Sequence, residues 1–343
     1  MEEMTLLLKD KIDQSYIIAE IAQAHEGSLG MAHSYIDAAA EAGADAVKFQ
    51  CHIADAESTV DEDFRIKMST QDKNRYEYWK RMEFTSENWD ELINHSKEKS
   101  IDLICSVFSN EAVDMLLRKK IKAWKLGSGE VFNTDLNSKL LKTDIPIIAS
   151  SGMSTWDDID KIYNLNKKHS SGFYLMHCCS KYPTPLEEIG LNIFDEMKIR
   201  YDCEIGVSDH SGNKFSSIYA IANNVNLLEV HVTFDKKMYG PDVSSSITFS
   251  ELKEIVDFSK VSKILKTNKI SKDEIANSIL GNKSLFTKSI SLKHDLKAGD
   301  ILREDHIKLK KPGTGISPDR VSEIIGRKLV RDVSKKRLLK FKD

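Results

Sequence analysis

Eight short runs rich in β-branched and aromatic residues, each followed by an amphipathic helical stretch, occupy about the first 265 residues of this 343-residue chain. The runs are Tyr16 to Ile21, Ala44 to Phe49, Ile101 to Ser106, Ala123 to Leu126, Ile145 to Ala149, Phe173 to Cys178, Glu204 to Val207 and Leu227 to Thr233. Strands separated by helix-length segments cannot pair as hairpins, so they must lie parallel with the helices as crossovers. Eight such units predict a (β/α)8 TIM barrel, an α/β fold. Helices are expected over Met31 to Ala42, Glu87 to Lys99, Asn110 to Arg118, Trp156 to Lys168 and Glu251 to Lys266. Thr85 stands before Ser86-Glu87-Asn88 and Thr155 before the acidic Asp157-Asp158, both suited to helix starts.

The interval from Cys51 to Glu83 lacks a strand signal and mixes charges with Tyr76, Tyr78 and Trp79. A loop of that length after the second strand reads equally as a lid over the barrel mouth or as a surface excursion. Between Lys260 and Ser278 the apolar period fades into a Lys/Ser/Asn-rich stretch, a helix running into a linker. Beyond it, Ala298-Gly299-Asp300, Pro312-Gly313 and Ser317-Pro318-Asp319 punctuate short strands. The expected division is a barrel over 1–265, a linker over 266–281 and a small β-rich module over 282–343.

Composition narrows the function classes. Forty-one per cent hydrophobic and 30% charged residues fit a folded globular chain. The formal charge of −3 offers no basic field for nucleic acid or anionic lipid, so an anionic ligand must be held locally. The three-leucine run Leu6–Leu8 is too short for a signal segment, and no apolar stretch approaches a membrane span, so a cytoplasmic location is expected. Cys51, Cys105, Cys178, Cys179 and Cys203 are odd in number and show no C-x-x-C spacing, which suggests reduced thiols.

Active sites of such barrels form at the C-terminal ends of the strands. Here those ends carry Glu20, Lys48 with Gln50, Ser106, Lys125 through Glu130, Ser150, Ser180 to Tyr182, Ser208 to His210, and Glu229 with His231. Lys48 and Lys125 need partners inside otherwise apolar strands. With Ser128, Ser150, Ser208 and the amides of Gly127 and Gly129 they could cradle a phosphate or carboxylate. Alternatively each pairs with a glutamate such as Glu20 or Glu130. His210 and His231 end consecutive strands, which in a parallel barrel lie about 4.8 Å apart, so they could share one divalent ion with open coordination positions. His169 and His177 read as hydrogen-bonded core histidines. Glu20, Gln50, Glu130 and Asp242 could bind hydroxyls or move protons, and spacing alone assigns none of them.

The segments AEIAQAHEGSLGMAHSYIDAAAEAGADAVKFQ, WKLGSGE, ASSGM, YPTP, GVSDHS and EVHVTFDKKMYGPD, in this order, resemble the bacterial sialic acid synthase family, which makes N-acetylneuraminate, legionaminate and pseudaminate. KAGDILREDHIKLKKPGTGI resembles the small antifreeze-like (SAF) domain that follows the barrel in these enzymes. The resemblance implies a transferase that condenses phosphoenolpyruvate with an N-acetylated aldose to a nine-carbon 2-keto acid and phosphate, with manganese or magnesium. It implies donor contacts at Lys48, Ser106, Lys125, Ser128, Ser150, Ser180 and Ser208, and metal ligation by His210 and His231. Gln50, Tyr182 and Asp242 match sugar-binding positions, Glu20 a residue meeting the metal water or sugar, and Glu130 a glutamate at the reacting centre. Family members are domain-swapped homodimers in which an SAF arginine reaches the acceptor's acetamido group. Here Lys311 takes that position, a point donor instead of a planar fork.

Other departures are Ala24 and Glu26 in the first loop, Val107 where proline is usual, Ser180 where asparagine is common, and no histidine after Gly240-Pro241-Asp242. They cluster where the sugar is expected and leave the lysines and paired histidines intact. Rival readings of the same barrel are a related synthase, an aldolase using a lysine Schiff base, or a sugar-binding relative without catalysis.

Overall fold

The computed structural model describes Leu8, residues 14–66 and residues 71–343; of the leucine run near the start, only Leu8 is among them. The strands are β1 (Tyr16–Ala22), β2 (Ala46–Cys51), β3 (Asp102–Val107), β4 (Ala123–Leu126), β5 (Ile147–Ser150), β6 (Phe173–Cys178), β7 (Glu204–Asp209) and β8 (Leu227–Thr233). All neighbours are parallel in sequence order, and β1 pairs with β8 to close the barrel. The expected runs and these strands agree to within two residues at each end, because their apolar content is continuous where both faces are covered.

Parity divides each strand. Val47, Phe49 and Cys51, like Leu103, Cys105 and Val107, point outward into a core shared with the helices. The alternate residues Tyr16, Ile18, Ala46, Ile104, Ala123, Ile148, Tyr174, Met176 and Leu227 fill the barrel itself, with Leu8. That interior is a packed floor, not a channel. The helices begin as their caps require: Thr85 and Thr155 each accept from the backbone N–H three residues on, and Asn88 and Asp158 return the bond. Gly43, at φ 85°, ends the helix Leu29–Ala42 in the left-handed conformation and turns the chain into β2.

The excursion after β2 contains two short helices, Ala54–Glu57 and Arg75–Met82. Their contact is an aromatic knot in which Ala54, Trp79 and Met82 are buried with Tyr76 and Tyr78 against them. The chain forms two compact units, 1–267 and 268–343. The stretch 266–281 carries the end of the helix Phe249–Thr267 and then a further helix, Lys272–Ser278. The second unit has its own core of Ile290, Leu292, Leu302, Ile316, Ile324, Leu329, Val333 and Leu339 around an antiparallel pair, Ser289–Leu292 with Ile307–Lys310. Asp343 ties its end down, its carboxylate accepting from Arg331 at 2.9 Å and Arg337 at 2.6 Å. Among the described residues no helix is long and apolar enough to cross a membrane.

Candidate active site

Two residues beyond the apolar floor, the same inward parity becomes polar on every strand. Ile18 is followed by Glu20, Ala46 by Lys48, Ile104 by Ser106, Ala123 by Lys125 and Ile148 by Ser150. Met176 is followed by Cys178, Gly206 by Ser208, and Leu227 by Glu229 and then His231. The pairing Glu20↔Lys48, Ser106↔Lys125, Cys178↔Ser208, Ser208↔Glu229 and Glu20↔His231 makes these side chains neighbours around the ring. Above them opens a cavity of about 410 Å³. Its wall contains all of Glu20, Lys48, Gln50, Ser106, Lys125, Ser128, Glu130, Ser150, Ser180, Tyr182, Ser208, His210, His231 and Asp242. Of the expected site residues only Lys311 belongs to the second unit, where its ammonium lies 5.2 Å over the Phe286 ring.

At the base sits a buried quartet. Lys48 Nζ is 3.1 Å from Glu20 and 3.2 Å from Glu229, and donates to Ser106 Oγ at 3.2 Å; Lys125 Nζ donates to Glu229 at 2.6 Å. The alternative reading of the lysines is the one this geometry shows: each pairs with a glutamate, although Glu229 takes the part expected of Glu130. Burial works against the Glu229 carboxylate, but Lys125 and Lys48 overcome it and hold that carboxyl well below the usual range. Burial raises Glu20, offset only in part by Lys48. Burial lowers Lys125, whereas at Lys48 the two carboxylates prevail and raise it. Two ammonium groups and two carboxylates sum to no net charge. An ammonium has three hydrogens. All three of Lys48 have partners, while Lys125 has Glu229 and the soft Met176 Sδ at 3.5 Å, so Lys125 is the better placed to meet a ligand oxygen.

Hydroxyls line the adjacent wall. Ser128 Oγ accepts from Gly152 N at 3.1 Å, and Ser180 Oγ is buried with no hydrogen-bond partner among the described residues. A Cβ at Gly152 would come within 2.2 Å of Ser180 Oγ, 2.7 Å of Cys178 Sγ and 2.9 Å of Ser128 Oγ, so only glycine fits there. A Cβ on Gly127 or Gly129 would meet nothing within 4 Å, which leaves their backbone open to the cavity. Glu130 has its carboxyl raised by burial, against the Asn133 amide that donates to it at 3.1 Å.

The two histidines stand with ring centroids 5.2 Å apart and planes 69° apart. His210 Nδ1 donates to the carbonyl of Cys179 at 2.8 Å, which leaves Nε2 with its lone pair toward the Tyr182 and Ser208 hydroxyls, each 3.3 Å away. Burial, then the neighbouring His231, lowers His210 to about 4, and burial lowers His231 as well. Two adjacent neutral imidazoles fit a divalent metal, and at His210 the carbonyl behind Nδ1 supplies the outer support such ligands use and orients the Nε2 lone pair. Among the described residues no three or more His, Cys, Asp or Glu side chains are arranged to hold a metal, so water or substrate would complete any coordination. His177 is a buried, hydrogen-bonded residue as expected, bonded to the carbonyl of Ile189 at 2.7 Å, whereas His169 bonds the carbonyl of Ile145 at 2.9 Å but is only half-buried, at the edge of the core.

The excursion after β2 contributes wall residues that sequence reasoning missed: His52, Glu57, Arg65, Trp79 and Arg81. Arg65 donates to Asp242 at 2.7 Å and lies 4.7 Å over the Tyr182 ring. Arg81 is held by Asp72 at 2.8 Å and Glu26 at 3.0 Å. His52 carried a readable signal, since it lies two positions along the strand path from Gln50, while Glu229 was named at the end of its strand without an assigned role. The arginines carried none.

Residues 35–270 match the model of the NeuB family, and residues 287–343 match that of the SAF domain. The chain belongs to the NeuB family. Curated relatives include an N,N'-diacetyllegionaminic acid synthase of Campylobacter jejuni, 30% identical over 95% of this chain and 99% of that one. A pseudaminic acid synthase of the same species is 30% identical over 93% of each. Among solved structures, an N-acetylneuraminic acid synthetase from Leptospira borgpetersenii in complex with citrate superposes with a TM-score of 0.68 at 26% identity, over 78% of this chain and 92% of that one.

Proposed function

We propose that this NeuB-family chain is a nonulosonic acid synthase: it joins C3 of phosphoenolpyruvate to the aldehyde carbon of an N-acetylated aldose and releases inorganic phosphate. The acceptor is N-acetylmannosamine or a diacetamido-trideoxy hexose of the legionaminic or pseudaminic type. The observation that carries the reading is the inward polar ring, in which a charge-neutral Lys/Glu quartet adjoins two neutral imidazoles at the mouth of a closed barrel. Relatives named as synthases of N,N'-diacetyllegionaminic acid, pseudaminic acid and N-acetylneuraminate 9-phosphate support it.

Lys125, with Ser128, Ser150, Ser180 and Ser208, holds the donor's phosphate and carboxylate; Lys48 and Ser106 set the field behind them. His210 and His231 would hold manganese or magnesium, which when bound polarises a carbonyl oxygen. Gln50, Tyr182 and Asp242 orient the sugar, while Glu20 and Glu130 face the region where protons must move. As the new C–C bond forms, C2 of the donor becomes electron-poor and takes up water. Its C–O bond to phosphate then breaks, and the hydroxyl proton leaves to give the 2-keto acid. The Lys/Glu quartet stabilises charge without being consumed.

The reading also includes a cytoplasmic homodimer in which Lys311 of one chain serves the acceptor end of its partner. Light scattering on the purified protein and a Lys311→Ala variant test that part. The central test is phosphate release from phosphoenolpyruvate over those acceptors, with manganese, magnesium or chelator. Turnover that survives chelation, or a lysine adduct trapped by borohydride, overturns the reading in favour of an aldolase. No release with any acceptor leaves a sugar-binding protein.

A further inference from the structure

His52 has no part in the chemistry above, yet it is held on both ring faces and at both nitrogens. Its ring is stacked on both faces, against Trp79 at 4.1 Å and 17° and against Phe108 at 4.6 Å and 9°. Rings on both sides fix the imidazole plane and so the directions of its two nitrogens. Nδ1 meets Glu57 Oε1 at 2.5 Å, and Nε2 meets Gln50 Oε1 at 3.1 Å. His52 and Glu57 are buried, with side-chain exposures of 3% and 7%.

From Gln50 the chain of bonds continues inward. Gln50 Nε2 donates to Glu20 Oε1 at 2.9 Å, and Gln23 Nε2 donates to Gln50 Oε1 at 2.6 Å. Each bond fixes the direction of the next. Glu20, with Lys48 3.1 Å from its other oxygen, is an acceptor, so the Gln50 amide must turn its NH2 inward and its oxygen outward. That outward oxygen must then receive hydrogens from both Gln23 and His52 Nε2, and because Nδ1 faces the Glu57 carboxylate, an acceptor, the ring donates from both nitrogens. Were the imidazole to present a lone pair at Nε2, the favoured Gln50 amide would be the reversed one, with its oxygen facing the Glu20 carboxylate.

We propose that His52 is a positioning residue: clamped by Trp79 and Phe108 and tethered by Glu57, it sets which way the Gln50 amide faces and so which atoms the acceptor meets. The kinetic form of this inference rests on the synthase reading. It also gives the excursion after β2 a role, since Trp79 reaches the site through one face of His52.

The test compares His52→Phe, which keeps the three-ring stack without nitrogens, with His52→Gln, whose amide reaches the Nε2 position. His52→Phe should raise the KM for the acceptor about tenfold, the loss of one oriented hydrogen bond, with the phosphoenolpyruvate KM within about twofold. His52→Gln should return to within about threefold of wild type. In a Gln50→Ala background His52→Phe should add less than about twofold, because the two residues act as one unit. His52→Asn, which keeps a group facing Glu57 but cannot reach Gln50, should behave as His52→Phe does and serves if that variant does not fold. Equal changes in both KM values, or additivity with Gln50→Ala, overturn the inference. A readout independent of turnover is the side-chain amide resonance of Gln50, assigned by its absence in Gln50→Ala. It should shift in His52→Phe and recover in His52→Gln; an unmoved resonance overturns the proposal. Should wild type release no phosphate while that resonance responds as stated, the synthase reading fails and the positioning role stands.

Discussion

The floor and the mouth of this barrel are built from the same strands, with the same parity, two residues apart. Ile18, Ala46, Ile104 and Ala123 below, and Glu20, Lys48, Ser106 and Lys125 above, differ only in chemistry. The floor is held by removal of apolar surface from water, about 25 cal/mol per Å² buried. The mouth has no such source. Its buried charges are tolerated because each ammonium faces a carboxylate, an arrangement that roughly offsets desolvation and gives little net stability. The lower layer makes the barrel hold, and the upper layer is arranged for chemistry against its own tendency to destabilise.

That contrast can be broken from either side. The largest effect is expected from His210→Ala, which should lower turnover by about a thousandfold or more and weaken manganese binding, measured by phosphate release and by titration calorimetry. Wild-type metal dependence in that variant would remove the metal assignment. Next, Glu229→Ala leaves two buried ammonium groups with only Glu20 and should cost about 3–5 kcal/mol in urea unfolding. The double change Lys125→Met with Glu229→Leu should recover most of that stability while remaining inactive, so regained activity would sink the division of labour. On the floor, Ile104→Ala should cost about 2–4 kcal/mol and leave the KM values of the folded fraction unchanged.

Acid gives a smaller effect of defined sign. His210 binds its proton at 6.5 when unfolded and at about 4 when folded, so its contribution is complete above 6.5 and is lost as pH falls toward 4. That loss reaches on the order of 3 kcal/mol, read as the pH dependence of unfolding between pH 7 and pH 4 and reduced in His210→Ala. The smallest change is expected from Arg65→Ala. Its partly exposed pair with Asp242 should be worth under about 1 kcal/mol of stability, with a few-fold rise in acceptor KM and none for phosphoenolpyruvate.

The same contrast explains what could be read in advance. Strand positions and their polar ends were legible because period-two alternation is a local property of the chain. So were the helix starts at Thr85 and Thr155, where a cap needs only three residues. Pairing was not local. Nothing near Lys125 in sequence announces Glu229, which meets it only because the barrel closes. The clamp on His52 draws Trp79 from the excursion and Phe108 from the end of β3, and Arg65 finds Asp242 across the mouth. Such residues become visible only when chain closure, not periodicity, is known.

Closure of β1 on β8 also sets when the site can exist. Glu20 lies beside His231, and Lys48 reaches Glu229, so residues from the first and last quarters of the barrel must meet before the quartet or the imidazole pair is assembled. Contacts so distant in sequence are slow to form, since the loop entropy is lost before they reward it. A chain emerging from the ribosome would carry strands one to seven without Glu229 or His231, and hence neither the complete Lys/Glu quartet nor the imidazole pair. The polar ring is complete only once the barrel has closed, and a part-made copy lacks the side chains that its last strand brings.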